Sequence, residues 1–241
     1  MTTPASNQPA PRRASASLTR IALSLTAVMV SLAALLFVPA GRLDWVEAWA
    51  LILVYTGFLA LYAWWGLKRD PEQLRERGRA HKAENVKSWD KTIMAAYTVF
   101  LLLTPIVAGL DAGRYRWSTV SPYVKGLAWL VLFLAGALVF WALTANTYLS
   151  RLARIQEDRG QVAITTGPYR FVRHPMYLGI IVLFLCVPLG LGSWWALLPG
   201  GAIGLLFVLR TAMEDRMLQD ELPGYVEYAQ RVRYRLAPGI W

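Results

Sequence analysis

Apolar residues are grouped along this chain in four long blocks that short polar segments separate. Each block contains about 19 to 23 residues, and an α-helix of that length crosses about 30 Å of hydrocarbon at about 1.5 Å per residue. The pattern therefore predicts four membrane-spanning helices, over residues 18–38, 45–67, 92–110 and 126–145.

A fifth apolar region differs from these blocks, because it is too long for one span and short for two. Residues 177–209 carry no charge, and Pro188 and Gly192 lie near the middle of this region. We interpret the region as a tight helical hairpin, with helices near residues 175–189 and 193–218. The pattern as a whole predicts an all-α, polytopic integral membrane protein with about six membrane-embedded helices.

The N-terminal residues 1–17 are rich in Pro, Ala, Ser and Thr, which predicts a disordered cytoplasmic tail. The apolar block that follows could instead be a signal peptide, because Val38, Pro39 and Ala40 resemble a small-residue cleavage site. The apolar stretch is long for a signal peptide, so a retained span is the favoured interpretation.

Composition supports a membrane protein and excludes several other classes. Hydrophobic residues make up 56% of the chain and charged residues 17%, and the mean hydropathy is +0.38. One soluble core of this size cannot bury so much apolar surface, and intrinsic disorder requires low hydrophobicity. The single cysteine, Cys186, permits no intramolecular disulfide, and one Cys with two His gives no credible zinc site.

The net charge of +10 follows from membrane topology and does not require a nucleic-acid partner. With the N-terminus inside, 21 of the 25 Lys and Arg residues fall on the inner face, as the positive-inside rule requires. Both termini are therefore predicted to be cytoplasmic, and the excess of Arg over Lys favours a bacterial inner membrane. No internal repeat is evident and no block carries a charge at its centre, which argues against a transporter or an ion conductor.

Polar residues that could carry chemistry are concentrated in two segments that flank the hairpin. They cover residues 156–177 and 210–218, so they emerge on the same membrane face. His174 precedes Pro175 at a predicted helix start, where free N–H groups and the helix dipole favour a ligand carboxylate. The alternative is a histidine that only caps a helix at the headgroup level.

Arg210 and Glu214 are four residues apart in the second segment, so they share one face of a helix. They could form an ordinary surface ion pair. Arg210, however, follows directly on an apolar run, where a charge is costly and usually functional. Asp215 is expected to be either a solvated neighbour or a supporting partner of the site.

The C-terminal tail alternates aromatic and cationic residues, at Tyr225, Tyr228, Arg231 and Arg235. An amphipathic helix on anionic lipid explains the arginines, whereas the tyrosines could close over a cofactor. The chain has no GxGxxG, P-loop, GxSxG or HExxH motif. Any cofactor would therefore be held by helices and loops at the membrane.

Three motifs together resemble the isoprenylcysteine carboxyl methyltransferase family, which is related to the phospholipid methyltransferases. They are GPYRFVRHPMYLG at 167–179, RxxxEDxxL at 210–218 and GYxxY at 224–228, and the resemblance covers roughly residues 146–241. It implies an integral membrane enzyme that uses S-adenosylmethionine from a cytosolic pocket and takes a lipid substrate sideways from the bilayer.

The resemblance also implies roles for individual residues. Arg210 corresponds to the arginine that faces the substrate and is the candidate catalytic residue, and Glu214 corresponds to a cofactor-binding glutamate. Asp215 stands where the family usually has a second Glu, which leaves its role open. The other cofactor-binding candidates are Gln156, Gln161, Val162, Ala163, Ile164, Tyr169, His174, Pro175, Met176 and Tyr177.

The implied organisation is the tail at 1–17, four transmembrane helices in 18–145, and a cofactor-binding methyltransferase region at 146–241. The methyl acceptor would be lipidic or prenylated, with the carboxylate of an isoprenylated cysteine as one candidate. A carboxylate is ionised near neutral pH and needs no general base, so catalysis would depend on positioning and electrostatics. An amine or a thiol would have to lose a proton.

Two other functions remain open at this point. One is an NADPH-dependent membrane reductase of sterols or lipids, and the other is a non-catalytic membrane scaffold or transporter. Membrane lipids are expected partners, nucleic acid and metal ions are not, and no oligomeric state is assigned.

Overall fold

The computed structural model describes residues 13–78 and 85–241, and no β-strand occurs within these two ranges. Short 3₁₀ turns at Glu157–Arg159 and Gly167–Arg170 interrupt the long loop between the fifth and sixth α-helices. The α-helices of the described residues are α1 (Arg13–Ala40), α2 (Val46–Arg69), α3 (Pro71–Gly78), α4 (Ser88–Ala108), α5 (Pro122–Ala145), α6 (Pro175–Leu191), α7 (Leu197–Glu221) and α8 (Tyr225–Arg231).

Five of these helices are long and apolar enough to cross a membrane. They are α1, α2, α5, α7 and α4, the last together with a π-helical extension at Gly109–Tyr115. Helix α6 is also apolar, but it has only 17 residues. This architecture confirms the prediction of an all-α polytopic membrane protein with about six embedded helices.

The first helix begins earlier than the apolar pattern predicts. Residues 1–12 of the predicted disordered tail lie outside the described residues, whereas residues 13–17 belong to α1. Helix α2 also exceeds its apolar block, because Lys68 and Arg69 extend it at the C-terminal end. Basic residues form helices well and favour the negative end of the helix dipole, so hydropathy alone underestimates the length of α2.

Helix α3 is a short polar helix that hydropathy does not reveal. Asp70 precedes it, and the Asp70 Oδ1 atom accepts a hydrogen bond of 3.0 Å from the backbone N–H of Gln73. Pro71 occupies the first helical position, where its missing N–H costs nothing. An Asp-Pro helix-start signal therefore defines α3.

The hairpin predicted from the uncharged region is formed by α6 and α7, with a turn that is longer than expected. Gly192 ends α6 with a positive φ of 89°, a conformation that favours glycine. The Ser193 Oγ atom accepts a hydrogen bond of 3.0 Å from the Ala196 N–H within the turn, and α7 begins at Leu197 instead of residue 193.

Two glycines allow the hairpin helices to pack closely against their neighbours. A Cβ atom on Gly179 of α6 would lie 2.5 Å from the Cγ2 atom of Val139 on α5. A Cβ atom on Gly200 of α7 would lie 2.4 Å from the carbonyl oxygen of Phe184 on α6. The close approach brings the C-termini of α5 and α7 and the N-terminus of α6 together at what we call the site end. We call the other end of the helix bundle, which contains the π-helix and the turn after Gly192, the opposite end.

Candidate functional site

A cavity with about 730 Å³ of empty space, partly open to solvent, lies at the site end. Its walls are the loop after α5, the start of α6, the end of α7 and helix α8. Two predicted site residues, Gln156 and Pro175, are not among the residues that line it. The predicted site residues that do line the cavity are Gln161, Val162, Ala163, Ile164, Tyr169, His174, Met176, Tyr177, Arg210 and Glu214.

Gln156 is buried behind the cavity wall, where it shapes the loop that precedes the cavity-lining residues. Its backbone N–H donates a hydrogen bond of 2.8 Å to the Oε1 atom of Gln161. Its own Oε1 atom accepts a bond of 2.6 Å from Nη1 of Arg159, and its Nε2 atom donates to the carbonyl of Tyr148. Gln156 therefore holds the segment 161–164 in place from behind.

His174 stands immediately before α6, and Pro175 occupies the first helical position, as the sequence predicts. The His174 ring is stacked against the Tyr177 ring, with 5.6 Å between the ring centroids. Its Nε2 atom lies 3.4 Å from the Oδ1 atom of Asp215. The histidine therefore faces a carboxylate of the protein at the position where the sequence suggested a seat for a ligand carboxylate.

Asp215 is fully buried, so the expectation of a solvated neighbour is wrong, and its contacts agree with the alternative of a supporting partner. Arg173 donates to both Asp215 oxygens, at 2.7 and 3.0 Å, and Arg235 donates at 2.8 Å. The Tyr225 hydroxyl and the Gln219 amide add bonds of 3.0 and 2.8 Å. Asp215 thereby joins the start of α6, the end of α7 and the C-terminal tail.

This network shifts the pKa values of the groups around Asp215. Burial alone would lower the pKa of Arg173, but the hydrogen bonds and charge of Asp215 raise it above its usual value. Burial, and then the Asp215 carboxylate, raise the pKa of the Tyr225 hydroxyl. At neutral pH both groups stay protonated and remain donors to Asp215.

The C-terminal tail folds back over the start of α6. The backbone N–H groups of Arg173 and His174 donate to the carbonyls of Tyr234 and Arg235, at 3.0 and 2.8 Å. The Tyr228 hydroxyl donates to the Tyr169 carbonyl at 2.7 Å. Arg235 is thus an ion-pair partner in the tail, contrary to the expectation of a lipid-facing arginine.

The Arg210 guanidinium is buried, and its main partner is an aspartate that the sequence analysis missed. Its Nε and Nη2 atoms donate to the two oxygens of Asp90, at 2.7 and 3.1 Å. Nη2 also donates to the Arg151 carbonyl at 3.0 Å. Asp90 lies in the first turn of α4, where an acidic residue is usual for helix-dipole reasons, so its position gave no signal.

Glu214 lines the cavity one turn after Arg210, and 17% of its side chain is exposed. Its Oε2 atom accepts a hydrogen bond of 2.5 Å from the Tyr177 hydroxyl. The same oxygen lies 3.9 Å from Nε of Arg210, beyond hydrogen-bond distance. The predicted Arg210–Glu214 pair is therefore loose, and the Glu214 carboxylate keeps capacity for a ligand.

Gln73 of α3 is a second buried residue that sequence reasoning missed. Its Nε2 atom donates to the carbonyls of Leu143 and Asn146, at 2.8 and 2.5 Å, and its Oε1 atom accepts from the Tyr62 hydroxyl at 2.7 Å. It satisfies carbonyls at the end of α5, which have no partners within that helix. A glutamine on a polar helix carries no sequence signal for this function.

Comparison with known proteins identifies the segment that contains the cavity. A family model described as phospholipid methyltransferase matches residues 124–222, which include every predicted site residue. The cobalt-zinc-cadmium resistance protein CzcN of Cupriavidus metallidurans is 30% identical over 138 residues, which are 54% of this chain. The chain spans 58% of the length of that relative. Residues 124–222 of this membrane protein therefore match the phospholipid methyltransferase family, which supports a membrane methyltransferase and confirms the family resemblance of the sequence motifs.

Proposed function

We propose that this protein is an S-adenosylmethionine-dependent methyltransferase that acts on an acceptor held in the membrane. The observation that carries the proposal is the cavity, because Arg210, Glu214 and the loop 161–164 surround one space at the site end. All three lie within the segment that matches the methyltransferase family. The cavity adjoins apolar helices that can cross a bilayer, which supports an acceptor dissolved in lipid.

The side chains around the cavity fit S-adenosylmethionine by their chemistry. This molecule combines a nucleoside with an ammonium, a sulfonium and a carboxylate. Glu214 offers a partly exposed carboxylate, which can accept hydrogen bonds from the ammonium or from ribose hydroxyls. The rings of Tyr169, Tyr177 and Tyr228 line the same cavity, and aromatic rings attract both apolar groups and cations.

The loop 161–164 is suited to the adenosine end of the cofactor. The apolar residues Val162, Ala163 and Ile164 line the cavity, and Gln156 supports the loop from behind. The apolar lining of this part of the cavity therefore agrees with a bound nucleoside.

The residues of this chain would bind, orient and shield the reactants. When bound, S-adenosylmethionine supplies an electrophilic methyl group for in-line displacement. Arg210 can orient an anionic acceptor through Nη1, since Asp90 and the Arg151 carbonyl engage Nε and Nη2. Tyr228 holds α8 against the cavity wall, which excludes water and strengthens electrostatic contacts inside.

An acceptor carboxylate agrees best with these residues. It requires no proton removal, and the Nη1 atom of Arg210 can donate a hydrogen bond that orients it. The carboxylate of an isoprenylated cysteine is the first candidate, with membrane lipids as the surrounding partners. The excess of Lys and Arg in the segments at the site end supports a cytoplasmic orientation for this end and for both termini.

Isothermal titration of the detergent-purified protein with S-adenosylhomocysteine and with NADPH tests the proposal. We expect binding of S-adenosylhomocysteine only. Incubation with a labelled methyl donor and a panel of lipid extracts and prenylated cysteines should then label one acceptor class. Binding of NADPH alone would indicate a reductase, and binding of neither ligand would leave a scaffold or a transporter.

Paired variants of α7 separate the site from the rest of the helix. Glu214→Gln should weaken S-adenosylhomocysteine binding by at least about tenfold, because it removes a charge-assisted contact. Asp220→Asn is the matched control, since Asp220 is exposed and its contact with Arg216 is 3.9 Å long. If both variants bind like the wild type, Glu214 does not hold the cofactor.

A further inference from the structure

Asp90 connects the N-terminal helices to the candidate site. It lies on α4, outside the segment 124–222 that matches the methyltransferase family. Its carboxylate is fully buried and accepts two hydrogen bonds from Arg210, at 2.7 and 3.1 Å. A residue 120 positions away in sequence therefore sets where the Arg210 guanidinium lies.

Two carboxylates compete for this guanidinium. The Nε atom of Arg210 is 2.7 Å from Asp90 and 3.9 Å from Glu214. The first distance is that of a strong charge-assisted hydrogen bond, and the second is too long for any hydrogen bond. Arg210 and Glu214 are nevertheless four residues apart on α7, a spacing at which opposite charges readily pair.

Because Arg210 is hydrogen-bonded to Asp90, the Glu214 carboxylate has few hydrogen bonds of its own. Among the described residues, only the Tyr177 hydroxyl donates to the Glu214 carboxylate. A carboxylate can accept about four hydrogen bonds, so Glu214 keeps most of its capacity. Since Glu214 lines the cavity, a cationic ligand can use that capacity.

We propose that Asp90 is a positioning residue that holds Arg210 away from Glu214 and so keeps the Glu214 carboxylate available to the ammonium of the methyl donor. Without Asp90, the buried guanidinium would lose its hydrogen-bonded carboxylate, and Glu214, 3.9 Å away, is the carboxylate within reach. Pairing with Arg210 would neutralise Glu214 and remove it from the cavity. This inference rests on the proposed function, because it names the part of the donor that Glu214 binds.

Asp90 also has a structural contact that the experiment must separate from this role. Its Oδ2 atom accepts a hydrogen bond of 2.6 Å from the Ala153 N–H, and the Lys87 N–H donates to the Ala153 carbonyl at 3.1 Å. These bonds attach the cavity-lining loop to the start of α4. Loss of Asp90 could weaken ligand binding through the loop alone.

A double-variant comparison distinguishes the two roles. We expect Asp90→Asn to weaken the titrated binding of S-adenosylhomocysteine by at least about tenfold, as the loss of a buried charge partner does, and Asp90→Glu to recover most of that loss. Arg210→Met should keep measurable binding, because Arg210 faces the acceptor. Asp90→Asn combined with Arg210→Met should bind within about threefold of Arg210→Met alone, since no guanidinium remains to neutralise Glu214.

The thermal unfolding of each variant in detergent accompanies the titrations, and Asp44→Asn is the control. Asp44 is exposed and forms a comparable contact of 2.8 Å with Arg42, so its replacement should leave binding unchanged. If Asp90→Asn does not fold, Arg210→Met and the double variant still decide between the roles. Both lack the guanidinium in question, so any difference between them measures what Asp90 does without it.

Several results would overturn the inference. One is wild-type affinity in Asp90→Asn, and another is a double variant as weak as Asp90→Asn, which would show that Asp90 acts through the loop. A third is loss of binding in Arg210→Met, which would make Arg210 a direct ligand of the donor. If the wild type itself does not bind S-adenosylhomocysteine, the proposed function fails. That outcome differs from a wild type that binds and variants that do not follow the expected order, which would contradict only the role of Asp90.

Discussion

At the opposite end of the bundle, the buried Asp111 accepts hydrogen bonds from uncharged groups, whereas Asp90 and Asp215 at the site end are paired with arginines. The donors to Asp111 include the Ser118 N–H at 2.8 Å, the Ser118 hydroxyl and the Ser193 hydroxyl at 2.6 Å. All three aspartates are fully enclosed, so burial alone does not distinguish the two ends.

The two ends differ in whether the partners of the buried aspartate keep hydrogen-bond donors and charge that a ligand could use. Hydroxyl and N–H donors complete Asp111 and connect the π-helix to Ser118 and to the hairpin turn at Ser193. A guanidinium carries five donors and a full charge, so a single aspartate does not exhaust it. Arg210 keeps Nη1 beyond its bonds to Asp90 and Arg151. Neutral donors therefore only connect structural elements at Asp111, whereas the arginine that pairs with Asp90 still has a donor and a charge available to a ligand.

Of the three buried aspartates and their partners, replacement of Asp215 should have the largest effect on stability and on ligand binding. Asp215→Ala leaves the buried Arg173 without its carboxylate, which costs about 3–5 kcal/mol in other buried pairs. We expect a lower unfolding temperature in detergent and loss of S-adenosylhomocysteine binding, because the tail no longer covers the cavity. Asp220→Ala on the same helix is the control. A fully stable Asp215→Ala protein would show that the arginines find other partners.

Replacing Asp111 should cost less and should spare ligand binding. Asp111→Ala leaves hydroxyl donors that can rotate, so we expect a destabilisation of about 1–3 kcal/mol. The affinity for S-adenosylhomocysteine should change by less than about twofold, because Asp111 lies at the other end from the cavity. Thermal unfolding and titration of the same sample measure both quantities. A large loss of affinity in a folded protein would mean that the two ends are coupled.

Removal of one neutral hydrogen bond at the site end should have a smaller effect. Tyr228→Phe deletes the bond to the Tyr169 carbonyl, for which about 0.5–1.5 kcal/mol is usual. The unfolding temperature should fall slightly while the tail stays docked through Asp215. Amide hydrogen exchange of α8 against that of α5 tests this expectation. Complete exchange of α8 would show that Tyr228, and not Asp215, holds the tail.

The smallest expected effect is that of alkaline pH on Tyr225. Its pKa is raised by burial and then by Asp215, so the stability from its neutral form is present below the ordinary tyrosine pKa of about 10. That stability is lost only as the pH rises through the higher pKa of the folded state. The stability advantage of the wild type over Tyr225→Phe should therefore be constant from about pH 7 to about pH 9 and should decline as the pH rises above about 10. An advantage that stays constant or grows above about pH 10 would contradict the raised pKa.

The membrane helices were predictable because a continuous apolar run of sufficient length marks a span without any knowledge of tertiary contacts. The π-helical segment Gly109–Tyr115 and the polar helix α3 were not, since neither has an apolar periodicity. Residues of the candidate site that are close in sequence could also be grouped in advance. Arg210 and Glu214 share one helix face, and the hairpin returns them to the start of α6.

Partners that are distant in sequence could not be predicted in this way. Asp90 is 120 residues from Arg210, and Gln73 is 70 residues from Leu143. A single sequence shows that a buried charge needs a partner, but it does not show which of several acidic residues supplies it. The same ambiguity explains why Asp215 was open to two interpretations, because adjacent helical residues point in different directions.

The shortness of α6 has a consequence for the depth at which the candidate site lies. A helix of 17 residues is about 25 Å long, whereas the hydrocarbon layer is about 30 Å thick. The two ends of α6 cannot both reach the phosphate planes of an undistorted bilayer. Either the lipid thins around the hairpin, or one end of α6 lies beneath the phosphates. If the lipid thins, or if the submerged end is the one at His174, the proposed acceptor has to rise only a short way from the bilayer to reach the cavity.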